Sequence, residues 1–553
     1  MEGMDEQMKV VVVGGVAGGM STATRLRRLD ENAEIIVLER SGYVSFANCG
    51  LPYHLSGTIA DRSSLMLQTP ESLAARFALD VRVKTEVVDI NRDSKTVTIR
   101  NLVDKSEFVE RYDYLVLSPG AAAVMPGQPG AERAMSMKDI EDLDRAMAWL
   151  ESKPETALII GGGFIGIELA ENLLKRGLAV TMLQRGAQLM RNLDPEMAVL
   201  LTTRMKSAGV DIRFNTTAHE FTKKTVTLST GEEISADVIF SAMGVRPEIG
   251  LAELAGLRIG ENGGIWVDAQ QRTSDASIFA VGDAAEKTDA ISGEPRLATL
   301  AGLANRHGHS VANAIASAPV VPATPALGTS IVTFEGLAAA SVGWTETALR
   351  SEGRKIRVVH AHPANHAAYY PGAETMRLKL IVDAETDLIL GAQGVGGTGV
   401  DKRIDVISTA MFAGITASKL AQLELAYDPQ HGSAKDPVNM LGYINRNIAE
   451  GFTSTIEWHE LEAFEREGWE ILDVRTAGEH KFGSIPGSLN IPLDTLRSNL
   501  DSVRDKKLVV HCQVGQRGHT AVRILSQEGI NAVNLDGGYL TWKAGMASKG
   551  IQK

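Results

Sequence analysis

Cysteine is nearly absent: it occurs only at Cys49 and Cys512 in 553 residues. Two thiols so far apart make no disulfide framework, so a reducing cytoplasm is the expected compartment and both are free for chemistry. Positive charge is also in deficit, with Lys+Arg 56 against Asp+Glu 68 and a net charge of −12. That balance argues against a general nucleic-acid or anionic-membrane surface. No apolar run is long enough to cross a bilayer. The start, Met1 to Glu6, is acidic and lacks the basic and apolar regions of a signal peptide. Nothing in the sequence calls for a metal site. What remains is an ordinary globular composition, 44% apolar and 22% charged, at a length that predicts three or four domains.

The chain is organised around Ser45-Phe46-Ala47-Asn48-Cys49-Gly50-Leu51-Pro52. Gly50 is expected to let a ring or substrate approach the backbone. Pro52 is placed to open a helix whose free N–H groups would lower the pKa of the Cys49 thiol.

Upstream, Lys9–Val13 reads as a buried parallel strand, followed by Gly14-Gly15-Val16-Ala17-Gly18-Gly19, a helix over Ser21–Leu29, and a strand Ile35–Leu38 ending at Glu39. This is the order of a dinucleotide fingerprint, with pyrophosphate on the helix N-terminus and Glu39 on ribose hydroxyls. Taking Gly15 and Gly18 as the second and third glycines puts Val13 in the first position. Ser21, Arg25 and Arg28 share one helical face, either as a solvated stripe or as a site for the phosphates of a thiol such as coenzyme A.

A second fingerprint follows. Strand Ala157–Ile160 leads into Gly161-Gly162-Gly163-Phe164-Ile165-Gly166, a helix, and strand Val180–Leu183 ending at Gln184. An acid there would favour NADH; Gln184 with Arg185 leaves NADH and NADPH both open, with a lean towards NADH. Strands ending at Ser118-Pro119-Gly120, Gly244 and Gly282-Asp283 complete the pattern.

Two dinucleotide folds in one chain resemble the FAD/NAD(P)-linked disulfide reductase superfamily over residues 9 to about 445. The resemblance implies FAD contacts at Gly15, Gly18, Glu39, Arg40, Ser118, Gly120 and Asp283. It implies nicotinamide-nucleotide contacts at Gly161, Gly163, Gly166, Gln184 and Gly244. Glutathione-reductase-like relatives carry a second cysteine at the fifth position after the first, where this chain has His54. The single-cysteine segment resembles coenzyme A disulfide and persulfide reductases. That likeness implies that Ser45, Asn48 and Lys435 help hold coenzyme A, with Ser21, Arg25 and Arg28 on its phosphates. Tyr369 and Tyr427 would reach the cysteine from the partner of a homodimer. NADH oxidases and peroxidases use a similar cysteine as a sulfenic acid, and a low-turnover sulfur-carrier or redox-sensing protein is a third reading. His360-Ala361-His362-Pro363 is read as ordinary strand histidines, because a further domain follows it. Asp428-Pro429-Gln430-His431 departs from the family pattern after Tyr427.

Beyond residue 454 a spaced series ends in a strand and then Cys512-Gln513-Val514-Gly515-Gln516-Arg517-Gly518. This closely resembles a rhodanese. Four residues separate Cys512 from Arg517, the sulfurtransferase length, and Arg517 is expected to assist a sulfur anion held in a nest of N–H groups. The expected fold class is α/β: two Rossmann-like domains, an α+β dimerisation domain and a C-terminal rhodanese α/β domain. The expected boundaries are 1–150 with 271–323 for FAD, 151–270 for NAD(P)H, 324–444 for dimerisation, 445–454 as linker and 455–553 for the rhodanese unit. The expected activity is NAD(P)H-dependent reduction of a coenzyme A persulfide or disulfide through Cys49, with Cys512 relaying sulfane sulfur.

Overall fold

The computed structural model describes residues 7–551. The acidic start and the expectation attached to it, at residues 1–6, lie outside them. The chain divides into two compact units, 1–183 with 217–328 and 184–216 with 329–553.

In the first unit, β1 (Lys9–Val13), α1 (Ala17–Leu29), β2 (Glu34–Leu38), the short helix α2 (Leu51–Leu55), β3 (Asp80–Arg82) and β4 (Tyr114–Leu117) build one sheet and its cover. The chain then crosses to β5 (Ala134–Met135), β6 (Thr156–Ile160), α3 (Phe164–Lys175), β7 (Ala179–Gln184) and β8 (Val238–Ser241), and returns with β9 (Ile278–Ala280) and α4 (Ala301–Ile315). The first sheet is parallel, in the order β9-β4-β1-β2-β3. In the second, β7, β6, β8 and β5 pair in parallel in that order. Burial on both faces explains the unbroken apolar runs: Val10, Val11 and Val12 have no exposure. The first crossing, near residue 134, falls inside the segment expected for FAD, and the return, near residue 245, inside the segment expected for NAD(P)H. Met135 already pairs with Phe240, and Ala252, Ala255 and Leu257 pack in the first sheet's core.

In the second unit, β10 (Ser330–Phe334), β11 (Leu337–Gly343), β12 (Ile356–Ala361), β13 (Arg377–Asp383) and β14 (Ile389–Gly396) form an antiparallel sheet in the order β10-β11-β14-β13-β12. Helix α5 (Pro437–Ala449) follows. It absorbs half of the expected linker: Asn445 is fully buried, and its Nδ2 donates to Asp387 Oδ1 at 2.8 Å. A polar residue with a buried partner reads as linker only when the partner is unknown. The last layer is β15 (Thr455–Ile456), β16 (Glu470–Asp473), α6 (Ala477–Phe482), β17 (Leu489–Asn490), β18 (Lys507–His511), α7 (Gln516–Gln527), β19 (Asn531–Leu535) and α8 (Gly538–Ile551). Its parallel sheet runs β15-β19-β18-β16-β17.

Candidate active site

The nucleotide residues gather at the carboxyl edges of the two parallel sheets, where open α/β folds bind ligands. At the first edge, Glu39 follows β2 and accepts the Gly15 N–H at 2.7 Å and the Ser41 N–H at 2.8 Å. Burial pushes its carboxyl up. Ser118 and Gly120 follow β4, and Asp283 follows β9 in a short turn, also pushed up by burial. Lys287 beside it donates to the carbonyls of Gly282 and Ala285. Arg40 is engaged with Glu248, its Nη1 donating to Oε2 at 2.8 Å.

The glycine register differs by one from the sequence reading. A Cβ on Gly166 would lie 2.1 Å from Gly161 O, and a Cβ on Gly19 would lie 2.0 Å from Gly14 O. Gly14 and Gly161 share a positive φ, +101° and +117°, and Val16 and Gly163 are the N-caps of α1 and α3. The first fingerprint is therefore Gly14, Val16 and Gly19, with valine in the middle place. Gly15 lies in the turn and Gly18 in the first turn of α1, where a Cβ on it would stand 3.0 Å from Ser118 Oγ. In the second fingerprint, a Cβ at Gly163 or Gly244 would meet open space. Gln184 ends β7, and its Nε2 donates to Gln188 O at 2.9 Å.

These edges suit phosphate-bearing cofactors. Neither α1 nor α3 has a side-chain cap or an acid in its first turn, so their N–H groups and positive dipole ends await an anion. Several other helices are capped by their own side chains, as by Thr69, Asp139 and Thr345, while Ala301–Ile315 and Gln516–Gln527 also lack a cap. With Glu39 as an acceptor for hydroxyls, the donor set at the first edge fits a dinucleotide such as FAD.

Cys49 lies in a single turn, Asn48–Gly50, that runs directly into α2. It is exposed. Asn48 Oδ1 accepts the Cys49 N–H at 3.0 Å and its S–H at 3.6 Å. Ser45 holds the approach to this turn with a left-handed φ of +48°, its N–H donating to Gly15 O at 2.8 Å. Two expectations are corrected here. On its Cβ side Gly50 is packed by Leu65 rather than open to a ring, since a Cβ there would sit 2.4 Å from Leu65 Cδ2. Nor is the Cys49 thiol lowered by the helix: crowding by its neighbours and then the Glu168 carboxylate push it up, against the smaller effect of the N–H. Glu168, on α3, is itself pushed up to about 7 by burial and by Glu171. Sequence reading missed Glu168; the available signal was an acid two residues past the last glycine of a fingerprint. His54 is buried, with its Nδ1 2.7 Å from Ile59 O.

On α1, Ser21 Oγ donates to Asn305 Oδ1 at 2.9 Å and Arg25 Nε to Asn313 Oδ1 at 3.1 Å, both partners on α4. Arg28 is exposed beside them, and exposed His309 of α4 feels both arginines, which with burial lower its pKa. The neighbouring Arg27 does something else: it is buried and donates to the carbonyls of Phe77, Ala78, Asp30 and Glu31.

In the second unit, the hydroxyls of Tyr369 and Tyr427 are 3.4 Å apart and both side chains are exposed. The departure after Tyr427 is a self-contained turn: Asp428 Oδ1 accepts from the N–H groups of Gln430 and His431 and from His431 Nδ1. Lys435 is exposed, 5.9 Å from the Tyr443 ring. Cys512 follows β18 and has no exposure. Its carbonyl accepts the Tyr539 N–H at 2.8 Å, Gln513 O accepts the Leu540 N–H, and Gly515 turns the loop into α7 at φ +90°. The Arg517 guanidinium is raised first by Glu479 and then, to a smaller degree, by the nearby Cys512 thiol.

Sequence reading also missed a buried cluster of charge. Lys379 Nζ, with no exposure, meets Asp194 at 2.9 Å, Glu196 at 2.6 Å and Glu346 at 2.7 Å. His360 is not an ordinary strand histidine: its Nδ1 lies 2.7 Å from Asp536 and its Nε2 3.2 Å from Glu196. Burial would lower it, but these two carboxylates outweigh burial and raise it to about 10. Asp194, Glu196 and Glu346 also cluster as metal ligands do, but the Lys379 ammonium sits among them.

Two dinucleotide-type edges, a lone exposed thiol between them in sequence, and a second thiol in a strand-to-helix loop of a separate α/β layer define a nucleotide-dependent oxidoreductase of sulfur with an attached sulfur-handling domain. Comparison with known proteins agrees. Residues 8–314 match the pyridine nucleotide-disulphide oxidoreductase family, 329–436 its dimerisation domain, and 457–545 the rhodanese-like domain. The chain belongs to the pyridine nucleotide-disulphide oxidoreductase family. It is 33% identical over 441 residues to the coenzyme A disulfide reductase of Staphylococcus haemolyticus, covering 80% of this chain and all of that one. The reduced Bacillus anthracis CoADR-RHD structure is 43% identical, with a TM-score of 0.96 over 98% of both chains. A NAD-dependent persulfide reductase from A. fulgidus is 36% identical, with a TM-score of 0.90 over 97% of this chain and 100% of that one. Among the described residues no helix is long and apolar enough to cross a membrane.

Proposed function

We propose that this protein is a cytoplasmic homodimeric flavoenzyme that uses NADH to reduce coenzyme A persulfide or coenzyme A disulfide at Cys49. The observation that carries the reading is an exposed, unpaired Cys49 in the same unit as two uncapped dinucleotide edges. One relative is named a coenzyme A disulfide reductase and another a NAD-dependent persulfide reductase. Gly14 to Gly19, Glu39, Ser118, Gly120 and Asp283 would hold FAD; Gly161, Gly163, Gly166 and Gly244 would hold the nicotinamide nucleotide, with Gln184 near its ribose. Bound FAD supplies a two-electron path from the nicotinamide to sulfur.

Cys49 does the covalent work. As thiolate it attacks the sulfur bonded to coenzyme A; an S–S bond forms to the enzyme and the old S–S bond breaks, its electron pair leaving on the released hydrosulfide or thiolate. Two electrons then cleave the enzyme's mixed disulfide and restore the Cys49 thiolate and the coenzyme A thiol. Asn48 Oδ1 steadies the Cys49 S–H, and Glu168, near neutrality, holds or gives up a proton beside it. Ser21, Arg25, Arg28 and Lys435 would meet the phosphates of coenzyme A, with His309 joining them. Tyr369 and Tyr427 would donate to a departing thiolate at the partner's cysteine. Cys512, backed by Arg517, would accept sulfane sulfur and raise its supply near Cys49 through the covalent link.

The test is NADH oxidation measured anaerobically with coenzyme A persulfide and with coenzyme A disulfide, and separately in air with oxygen as the sole acceptor, paired with the intact mass of unreduced protein. The proposal expects turnover with the sulfur acceptors and a reductant-released adduct of coenzyme A size on Cys49. Turnover with oxygen alone would replace it by an oxidase.

A further inference from the structure

Each of the two guanidinium groups at the Cys512 loop is met by its own carboxylate. Arg475 is fully buried; its Nε and Nη2 donate to Asp473 at 3.0 and 2.7 Å, and its Nη1 donates to Gln513 Oε1 at 3.0 Å. Arg517, in the first turn of α7, forks onto Glu479: Nη1 donates to Oε2 at 2.9 Å and Nη2 to Oε1 at 2.6 Å. A bidentate pair of this kind is stronger and more directional than a single contact. Glu479 is itself held in place. It is the third residue of α6 in a capping box with Thr476, whose N–H and hydroxyl both donate to Glu479 Oε2, at 3.0 and 2.9 Å. The Arg517 pair holds the Glu479 carboxyl down to about 2, so it is charged at any working pH. Cys512 has no exposure behind this pair.

A sulfur donor reaching Cys512 therefore meets a cation that is already neutralised and a fixed carboxylate beside it. We propose that Glu479 is a specificity-determining residue: it sets the Cys512 site for sulfane donors that release a thiolate, and against oxyanion donors such as thiosulfate, whose leaving group carries concentrated negative charge. This rests on the reading of Cys512 as a sulfane acceptor. In either transfer the Cys512 thiolate attacks the outer sulfur. A new S–S bond forms, and the old S–S bond breaks with its electron pair passing to the leaving group. That group is a thiolate from an organic persulfide and sulfite from thiosulfate. No other oxidant or reductant takes part. For thiosulfate, the departing dianion must either dislodge Glu479 from Arg517 or be released beside its charge; a persulfide releases a single charge on one sulfur.

The test uses the full-length protein and its Glu479→Gln variant, which keeps an oxygen for the capping box but loses the charge. Sulfur transfer to cyanide is measured with thiosulfate and with glutathione persulfide as donors. The variant should show a KM for thiosulfate lower by about tenfold, with glutathione persulfide changed by less than about twofold. Glu479→Asp, which keeps the charge, should stay closer to wild type in donor preference, and Thr476→Ala, which loosens the carboxylate, should shift thiosulfate in the same direction by a smaller factor. NADH oxidation at Cys49 reports an intact fold in each variant. An unchanged thiosulfate KM in Glu479→Gln and Thr476→Ala, or an equal gain with both donors, overturns the role of Glu479 alone. If intact mass shows no sulfur on wild-type Cys512 after glutathione persulfide, the acceptor reading fails and the inference with it.

Discussion

A single carboxylate oxygen of Asp536 accepts both the backbone N–H of His360, at 2.8 Å, and its ring Nδ1–H, at 2.7 Å. The clamp joins β12 of the antiparallel sheet to the turn that supports the Cys512 loop. A Cβ on Gly537 would stand 2.7 Å from His360 Cβ, and one on Gly538 would stand 2.5 Å from Cys512 O. The contact thus spans the two domains of the second unit.

The clamp makes stability fall on the alkaline side. His360 is raised in the folded protein, so its contribution is complete below the unfolded histidine value of about 6.5 and is lost as pH rises through about 10. Glu457 has the same sign: burial and Glu346 raise it to about 9, so at higher pH a charged carboxylate is buried there. The guanidinium midpoint, followed by tryptophan fluorescence, should be lower at pH 9.5 than at pH 7. In His360→Gln the dependence should flatten. Equal midpoints in the wild type would contradict the clamp.

Cys49 and Cys512 should separate cleanly. Cys49→Ser should lose NADH consumption with coenzyme A persulfide by more than about a thousandfold. Cys512→Ser should keep turnover with coenzyme A disulfide, which carries no sulfane sulfur. Steady-state assays of the two variants decide this.

Glu168 should restrain Cys49. Its carboxylate raises the thiol pKa, so Glu168→Gln should leave more thiolate at pH 7. Alkylation of Cys49 by iodoacetamide should then be several times faster, with the midpoint of its pH profile shifted down. A profile identical to the wild type would remove Glu168 from the site.

Adjacent arginines on α1 should behave oppositely. Arg25→Ala with Arg28→Ala should raise the KM for coenzyme A substrates by about tenfold, with kcat little changed and a weakened salt dependence. Arg27→Ala should instead cost about 2 kcal/mol of stability, since it strands four backbone carbonyls. Substrate kinetics and denaturation curves distinguish the two.

Much of this was legible from local pattern. Apolar strands ending in glycine turns gave both dinucleotide sheets, and the Cys512 to Arg517 spacing gave the last domain, because such signals lie within a few residues of one another. The one-residue shift from Gly15 and Gly18 to Gly14 and Gly19 was hidden by a run of glycines with a valine in the middle place. It appears only as a close approach of Gly19 to Gly14 O. The Lys379 and His360 cluster was illegible for a different reason. Its carboxylates come from positions 194, 196, 346 and 536, and no periodicity links residues brought together by tertiary packing. Asn445 misled in the same way, as a polar residue whose partner was distant. The thiol of Cys49 was expected to be lowered because only its own helix was visible in sequence; the acid that raises it is on α3.

His54 stands at the fifth position after Cys49, so no second cysteine lies near it in the chain. On the proposed function an oxidised Cys49 would be a conjugate with whatever small thiol it met, and two preparations of one sequence would then differ in mass, in the reductant they consume and in their initial burst. The cellular pool of small thiols, rather than the polypeptide, dictates how the resting protein is stored.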